Sequence, residues 1–113
     1  MYRVLKRDGT IVDFNLARIE NAIRRAFEAS NTVYNEDVID FLALKVTADF
    51  SKEVKNSLVD VETIQDSVEK VLIKGDYNDV AKAYILYRKQ HEKMRNMTST
   101  ILDYKDLVNS YVK

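Results

Sequence analysis

The sequence has no cysteine and no proline, and only two glycines and one histidine in 113 residues. Without cysteine there are no disulfides, no thiolate metal sites and no cysteine nucleophile. A reducing compartment fits that absence, so the expected location is the cytoplasm. Without proline, nothing interrupts long helices. Two glycines are too few for a glycine-rich phosphate loop. The one histidine, His91, has no partner at metal-ligand spacing and reads as a surface residue. Neither sign of charge is in excess: Lys+Arg and Asp+Glu both number 18, for a formal net charge of zero. That balance speaks against a general nucleic-acid binder, while leaving room for a local basic pocket. No apolar run is long enough for a membrane span or a signal peptide. No acid/base pair stands out either, because Asp8, Asp13, Asp76 and Asp79 fall at turn and cap positions. An independent enzyme is therefore not expected, and no catalytic residue is assigned.

What is present is a clear pattern for one domain, with 46% hydrophobic and 32% charged residues. Tyr2 to Lys6 and Thr10 to Phe14 read as two short strands around Arg7-Asp8-Gly9, a hairpin signal in which glycine supplies the positive φ of the turn. Asn15 can cap a first helix with a stripe at Leu16, Ile19, Ile23, Ala26 and Phe27. Asn31 and Asn35 mark a break. The second helix starts near Glu36, with Ile39, Leu42, Ala43, Val46 and Phe50 on its inner face. The stretch KEVKNSLVD reads as a polar interruption. Asp60 can cap a third helix carrying Val61, Ile64, Val68, Val71 and Leu72, which Gly75 stops. Asn78 or Asp79 can cap a fourth, with Val80, Ala83, Tyr84 and Tyr87 inward. After a second break at 98–100, Leu107, Val108 and Tyr111 suggest a short tail helix. The expected fold is mainly α: a small N-terminal β-hairpin lid on a four-helix bundle, followed by a helical tail. The hairpin is marginal alone and must pack on the bundle.

Two cation groups carry possible chemistry. Lys6 and Arg7 stand at the hairpin turn, either as solvated turn residues or as a grip on an anion. The anion reading gains from the helix opened by Asn15, whose first N–H groups and positive dipole end favour phosphate. Arg18, one turn in, is unfavourable against that dipole unless an anion compensates it. In the fourth helix, Lys82, Arg88 and Lys89 flank Tyr87, either as a solvated edge or as a second phosphate or base contact.

Three separated blocks then fall in order. VLKRDGTIVDFNLARIENAIRRAF resembles the opening of an ATP-cone. VDVETIQDSVEKVLI and DVAKAYILYRKQ resemble that family's third and fourth helices. The resemblance covers residues 2–93. ATP-cones are regulatory domains at the N-termini of ribonucleotide reductases, and occur in a reductase-gene repressor behind a cysteine-bearing zinc ribbon. The tail resembles the connection to the barrel in anaerobic, glycyl-radical (class III) reductases, with the radical glycine and thiyl cysteine beyond Lys113. The resemblance thus implies a cone over 1–97 and the start of that connection over 98–113. It implies ATP and dATP as allosteric ligands, activating and inhibiting respectively, with Mg²⁺ on the nucleotide. The partners implied are the catalytic domain of the same polypeptide and other cones or subunits, with no membrane and no nucleic acid. By the resemblance Val4 and Lys6 line the nucleotide and Lys6 and Arg7 address its phosphates. Asn15, Arg18 and Ile19 join from the first helix, with Arg18 replacing the more usual Lys. Val61 and Gln65 face the pocket from the third helix, and Lys82 and Arg88 approach from the fourth, where Lys89 is interchangeable with Arg88. The chain departs from some relatives in having Val12 in place of an acid and Gln65 in place of His. Other readings are a ligand-free helical interaction module, a cone of the repressor type, and a nucleic-acid-binding domain using Lys6, Arg7, Arg24 and Arg25.

Overall fold

The computed structural model describes residues 2–92. The boundary at 97/98 and the tail stripe of Leu107, Val108 and Tyr111 lie outside them. The expected hairpin is formed by β1 (Arg3–Leu5) and β2 (Ile11–Asp13), paired antiparallel with Val4 opposite Val12. Lys6 N–H donates to the Thr10 carbonyl at 2.8 Å and Gly9 N–H to the Lys6 carbonyl at 3.0 Å. Gly9 takes φ +89°, the left-handed conformation that only glycine adopts freely. Asp8 fixes the turn by accepting from the Thr10 amide at 3.0 Å and hydroxyl at 2.6 Å. Those bonds hold its carboxyl below the usual range.

The polar interruption is the first correction. Leu58–Asp60 form a third strand, β3, parallel to β1, and the sheet order is β2-β1-β3. It is entered through a tight turn in which Lys55 and Leu58 exchange N–H···O bonds of 3.0 Å. Asn56 and Ser57 both carry positive φ there, 54° and 61°. Val12, Val4 and Val59 make one row across the sheet, and Val4 and Val59 are buried in the core. The hairpin is thus held by a strand as well as by helices.

Four helices complete the fold: α1 (Leu16–Ala29), α2 (Glu36–Phe50), α3 (Val61–Lys74) and α4 over 78–92. Their inner faces are the predicted stripes. Ile19, Ile23, Ala26 and Phe27 of α1, all five expected residues of α2, and Ile64, Val68, Val71 and Leu72 of α3 are buried in one cluster. Asn15 and Asn35 cap α1 and α2, accepting from Ala17 N–H at 3.0 Å and Val38 N–H at 2.9 Å. Asp60 occupies the cap position of α3 but makes no side-chain cap bond. As the last residue of β3, paired with Leu5, it already has its chain direction fixed.

Gly75 closes α3, but with φ −83°; the left-handed residue is Asp76, φ 64°. Asp76 N–H bonds to the Ile73 carbonyl and Tyr77 N–H to the Leu72 carbonyl, the paired closure of a Schellman motif. Glycine at 75 leaves room for Tyr77, since a Cβ there would stand 3.0 Å from the ring and push it by a few tenths of an ångström. α4 begins at 78, so Asn78 and Asp79 lie in its first turn rather than before it. Tyr2, Phe14 and Phe50 pack edge to face, with centroids 5.5–6.1 Å apart, and fasten the base of the hairpin to the end of α2. No helix among the described residues is long and apolar enough to cross a membrane.

Candidate functional site

The sheet places the site. Because β3 runs parallel to β1 with Leu5 level with Asp60, the residues that follow each strand stand side by side. Lys6 and Arg7 leave β1 where Val61, Glu62 and Gln65 open α3. Only two residues, Phe14 and Asn15, separate β2 from α1, and this short link brings Asn15, Arg18 and Ile19 to the same edge.

A cavity of about 180 Å³ lies between the hairpin, α1 and α3. Val4, Lys6, Asn15, Arg18, Ile19, Val61 and Gln65 all line it. Sequence reasoning did not assign the rest of its apolar wall: Val12, Phe14, Ala22, Ile64, Val68 and Tyr84. Burial pushes the Tyr84 phenol far above its ordinary value, so it is a neutral hydroxyl. A second chamber of about 240 Å³ is lined by Lys6, Arg7, Asp8, Val61 and Gln65. The two share Lys6, Val61 and Gln65. Together they fall within the roughly 300–1,000 Å³ of small-molecule sites. One is apolar with a polar mouth; the other is lined largely by polar side chains over their aliphatic stems, with two cations and one acid, Asp8. A planar base suits the first and an anionic group the second.

Arg7 crosses from the hairpin to α3. Its Nη2 donates to Gln65 Oε1 at 3.0 Å, and its Nε lies 3.3 Å from Glu62 Oε1. The second contact is in ion-pair range but off the N–H direction, so it attracts by charge without forming a hydrogen bond. Arg7 Nε is the one buried side-chain nitrogen or oxygen among the described residues without a hydrogen-bond acceptor. A buried donor left unpaired costs about 1–3 kcal/mol, which an incoming acceptor would recover.

Two expectations about the phosphate end change. The amides at the start of α1 are largely used: Asn15 Oδ1 takes Ala17 N–H at 3.0 Å and the Asn15 carbonyl takes Arg18 N–H at 3.1 Å. What remains is the positive end of the helix dipole, with no acid in the first turn to offset Arg18. Lys82 and Arg88 do not reach either chamber. Lys82 is exposed. Arg88 binds Asp66 at 2.8 Å and Glu69 at 3.1 Å, clamping α4 onto α3. From α4 it is Tyr84 that meets the cavity. Lys89 is also exposed and lines neither chamber. The cations of the nucleic-acid reading are dispersed as well. Arg24 is held by Glu36 at 2.7 Å and Asn21 at 2.6 Å, and Arg25 donates to the Tyr87 hydroxyl at 3.3 Å.

Comparison with known proteins agrees with this architecture. A family model for the ATP cone domain matches residues 2–93. The vitamin B12-dependent ribonucleoside-diphosphate reductase of Mycobacterium tuberculosis is 37% identical over 93 residues, 82% of this chain and 13% of that protein. The anaerobic ribonucleoside-triphosphate reductase of Salmonella typhimurium is 38% identical over 92 residues, 81% of this chain and 12% of that protein. The corresponding enzyme of Escherichia coli is 41% identical over 86 residues, 75% of this chain and 11% of that protein. The chain thus spans 11–13% of the length of these relatives. Reductases of different chemistry share the likeness, so it follows the regulatory unit rather than one type of catalytic domain. The matched residues are those that build the sheet, the four helices and the double chamber, and the chain belongs to the ATP-cone family, the nucleotide-binding regulatory domains of ribonucleotide reductases.

Proposed function

We propose that the double chamber binds ATP and dATP as allosteric ligands. The adenine enters the apolar chamber among Val4, Ile19, Val61 and Tyr84. The triphosphate, carrying Mg²⁺ on its own oxygens, lies against Lys6 and Arg7, with Gln65 at the junction and Asn15 and Arg18 in the wall of the first chamber. The cone, residues 1–97, would regulate an anaerobic, glycyl-radical ribonucleoside-triphosphate reductase on the same polypeptide, joined through 98–113. ATP favours the active enzyme and dATP the inhibited one, through changes in how cones and subunits associate. Catalysis belongs to the rest of that polypeptide.

The observation that carries this reading is the junction itself: an apolar chamber and a cationic chamber sharing Lys6, with an unpaired buried Arg7 Nε beside them. Regulation requires more than binding. A ligand with equal affinity for both enzyme states shifts nothing, and coupling between sites is typically about 1–3 kcal/mol.

The test is calorimetry on Lys6→Ala. A charge-assisted contact is worth about 1.5–3 kcal/mol, so the variant should lose roughly tenfold or more in affinity. ATP and dATP should lose alike, since they carry the same phosphates. Lys6 is exposed, so the fold should survive. Unchanged affinity in the folded variant would contradict the assignment.

A further inference from the structure

We propose that Glu62 is a built-in competitor for the phosphate-binding Arg7, so that nucleotide entry must displace it and release the hairpin tip from α3. The inference rests on the nucleotide reading above and adds a regulatory element to that site.

Arg7 and Glu62 meet unequally. The Arg7 side chain is 21% exposed, while that of Glu62 is 57% exposed and reaches in from solvent. Their contact, 3.3 Å from Nε to Oε1, is charge attraction without a hydrogen bond. A carboxylate that fitted this guanidinium would make two parallel N–H···O bonds, and Glu62 makes none. Glu62 therefore neutralises Arg7 without saturating it. A phosphate has more charge and more acceptor oxygens, and it can take the Nε–H that Glu62 leaves open. Glu62 and phosphate repel one another at that range, so they exclude each other.

Gln65 stands one turn beyond Glu62 on the same face of α3 and holds Arg7 Nη2 at 3.0 Å. It is neutral and can keep its bond with a nucleotide present. Arg7 thus has one partner that stays and one that must yield. The two together tie the hairpin turn to the start of α3, with Arg7 and Gln65 58 residues apart in the chain. Phosphate binding cuts the charged half of that tie. The tip of the hairpin thereby gains an arrangement that depends on occupancy, in an element far in sequence from α4 and the chain beyond it.

Calorimetry on the 113-residue chain separates the possibilities. Wild type, Glu62→Gln, Arg7→Gln and the double variant are titrated with adenosine, AMP, ATP and inorganic tripolyphosphate. Glu62→Gln should bind ATP and tripolyphosphate about three- to tenfold more tightly, and adenosine no differently. The gain should vanish in the Arg7→Gln background and shrink at high salt. Unchanged or weaker ATP binding by Glu62→Gln overturns the proposal, as does a gain that survives without Arg7. A lowered melting temperature with unchanged affinity would make Glu62 only a favourable acid at a helix start. Should Glu62→Gln not fold, Glu62→Ser serves the same comparison. A wild-type chain that binds none of the four probes overturns the nucleotide reading and this inference with it; one that binds them while Glu62→Gln changes nothing overturns the inference alone.

Discussion

Ala22 is the smallest side chain in the wall of the apolar chamber, facing it from α1 between Ile19 and the rest of the helix. Enlarging it is the simplest way to close the space meant for a base. Ala22→Leu should abolish ATP binding at micromolar levels while leaving inorganic tripolyphosphate binding within about twofold, because the cations are untouched. Overpacking typically costs about 1–3 kcal/mol, less where a void receives the added atoms, so a cooperative melting curve should persist. Retained ATP affinity in the folded variant would move the base elsewhere. At this scale the cationic half of the site was legible, while of the apolar half only Val4, Ile19 and Val61 were, through the family resemblance. Lys6, Arg7 and Arg18 are conspicuous at a turn and a helix start, where a charge needs a reason. Ile64, Val68 and Tyr84 read as core, because a stripe residue facing a cavity looks in sequence like one facing a neighbour. Arg88 was legible as a charge, but its partners Asp66 and Glu69 depend on how α4 lies along α3, which spacing alone does not fix.

Among the elements, the helices followed from periodicity because their stripes are long, and α1 and α2 also because Asn15 and Asn35 cap them. β3 did not, for two physical reasons. It has three residues, too few for an alternation to register. Its entry turn uses Asn56 and Ser57 in left-handed conformations without a glycine to announce them. The missed strand is the one that levels Lys6 with Val61, so the site's geometry was hidden with it. A left-handed non-glycine residue costs roughly 1–2 kcal/mol. Ser57→Gly should therefore stabilise the domain, by about 0.5–1 kcal/mol after the entropy of the added glycine, in urea unfolding. A loss of stability would mean that the Ser57 side chain holds the turn.

α2 and α3 meet through a different device. Ser67, 4% exposed, donates to Asp49 Oδ2 at 2.7 Å, and Lys70 stands 3.4 Å from the same oxygen. The Ser67 hydroxyl first, and then Lys70, hold the Asp49 carboxyl below the usual range. A lowered carboxylate stabilises the fold fully above its unfolded value, near pH 4, and loses that contribution as the pH falls through its folded value. The wild type should thus weaken below about pH 4. Asp49→Ala should cost about 1–3 kcal/mol at neutral pH by stranding the Ser67 hydroxyl, and should flatten part of the acid slope. Urea unfolding at pH 7 and pH 3 checks both effects; an unchanged slope would assign the acid sensitivity to other carboxylates.

For the molecule as a whole, the central claim is that an adenine nucleotide occupies the space between hairpin, α1 and α3. A ligand that binds only the folded chain adds RT ln(1 + [L]/Kd), about 2.7 kcal/mol at a hundredfold excess over Kd. For a domain near this size each kcal/mol raises the melting temperature by roughly 4–8 °C. The most direct test is the melting temperature of the 113-residue chain with saturating nucleotide and Mg²⁺. ATP and dATP should each raise it by on the order of 10 °C or more, with GTP and CTP doing much less. A melting temperature indifferent to ATP and dATP at millimolar concentration would contradict the account and leave a helical interaction module as the better description.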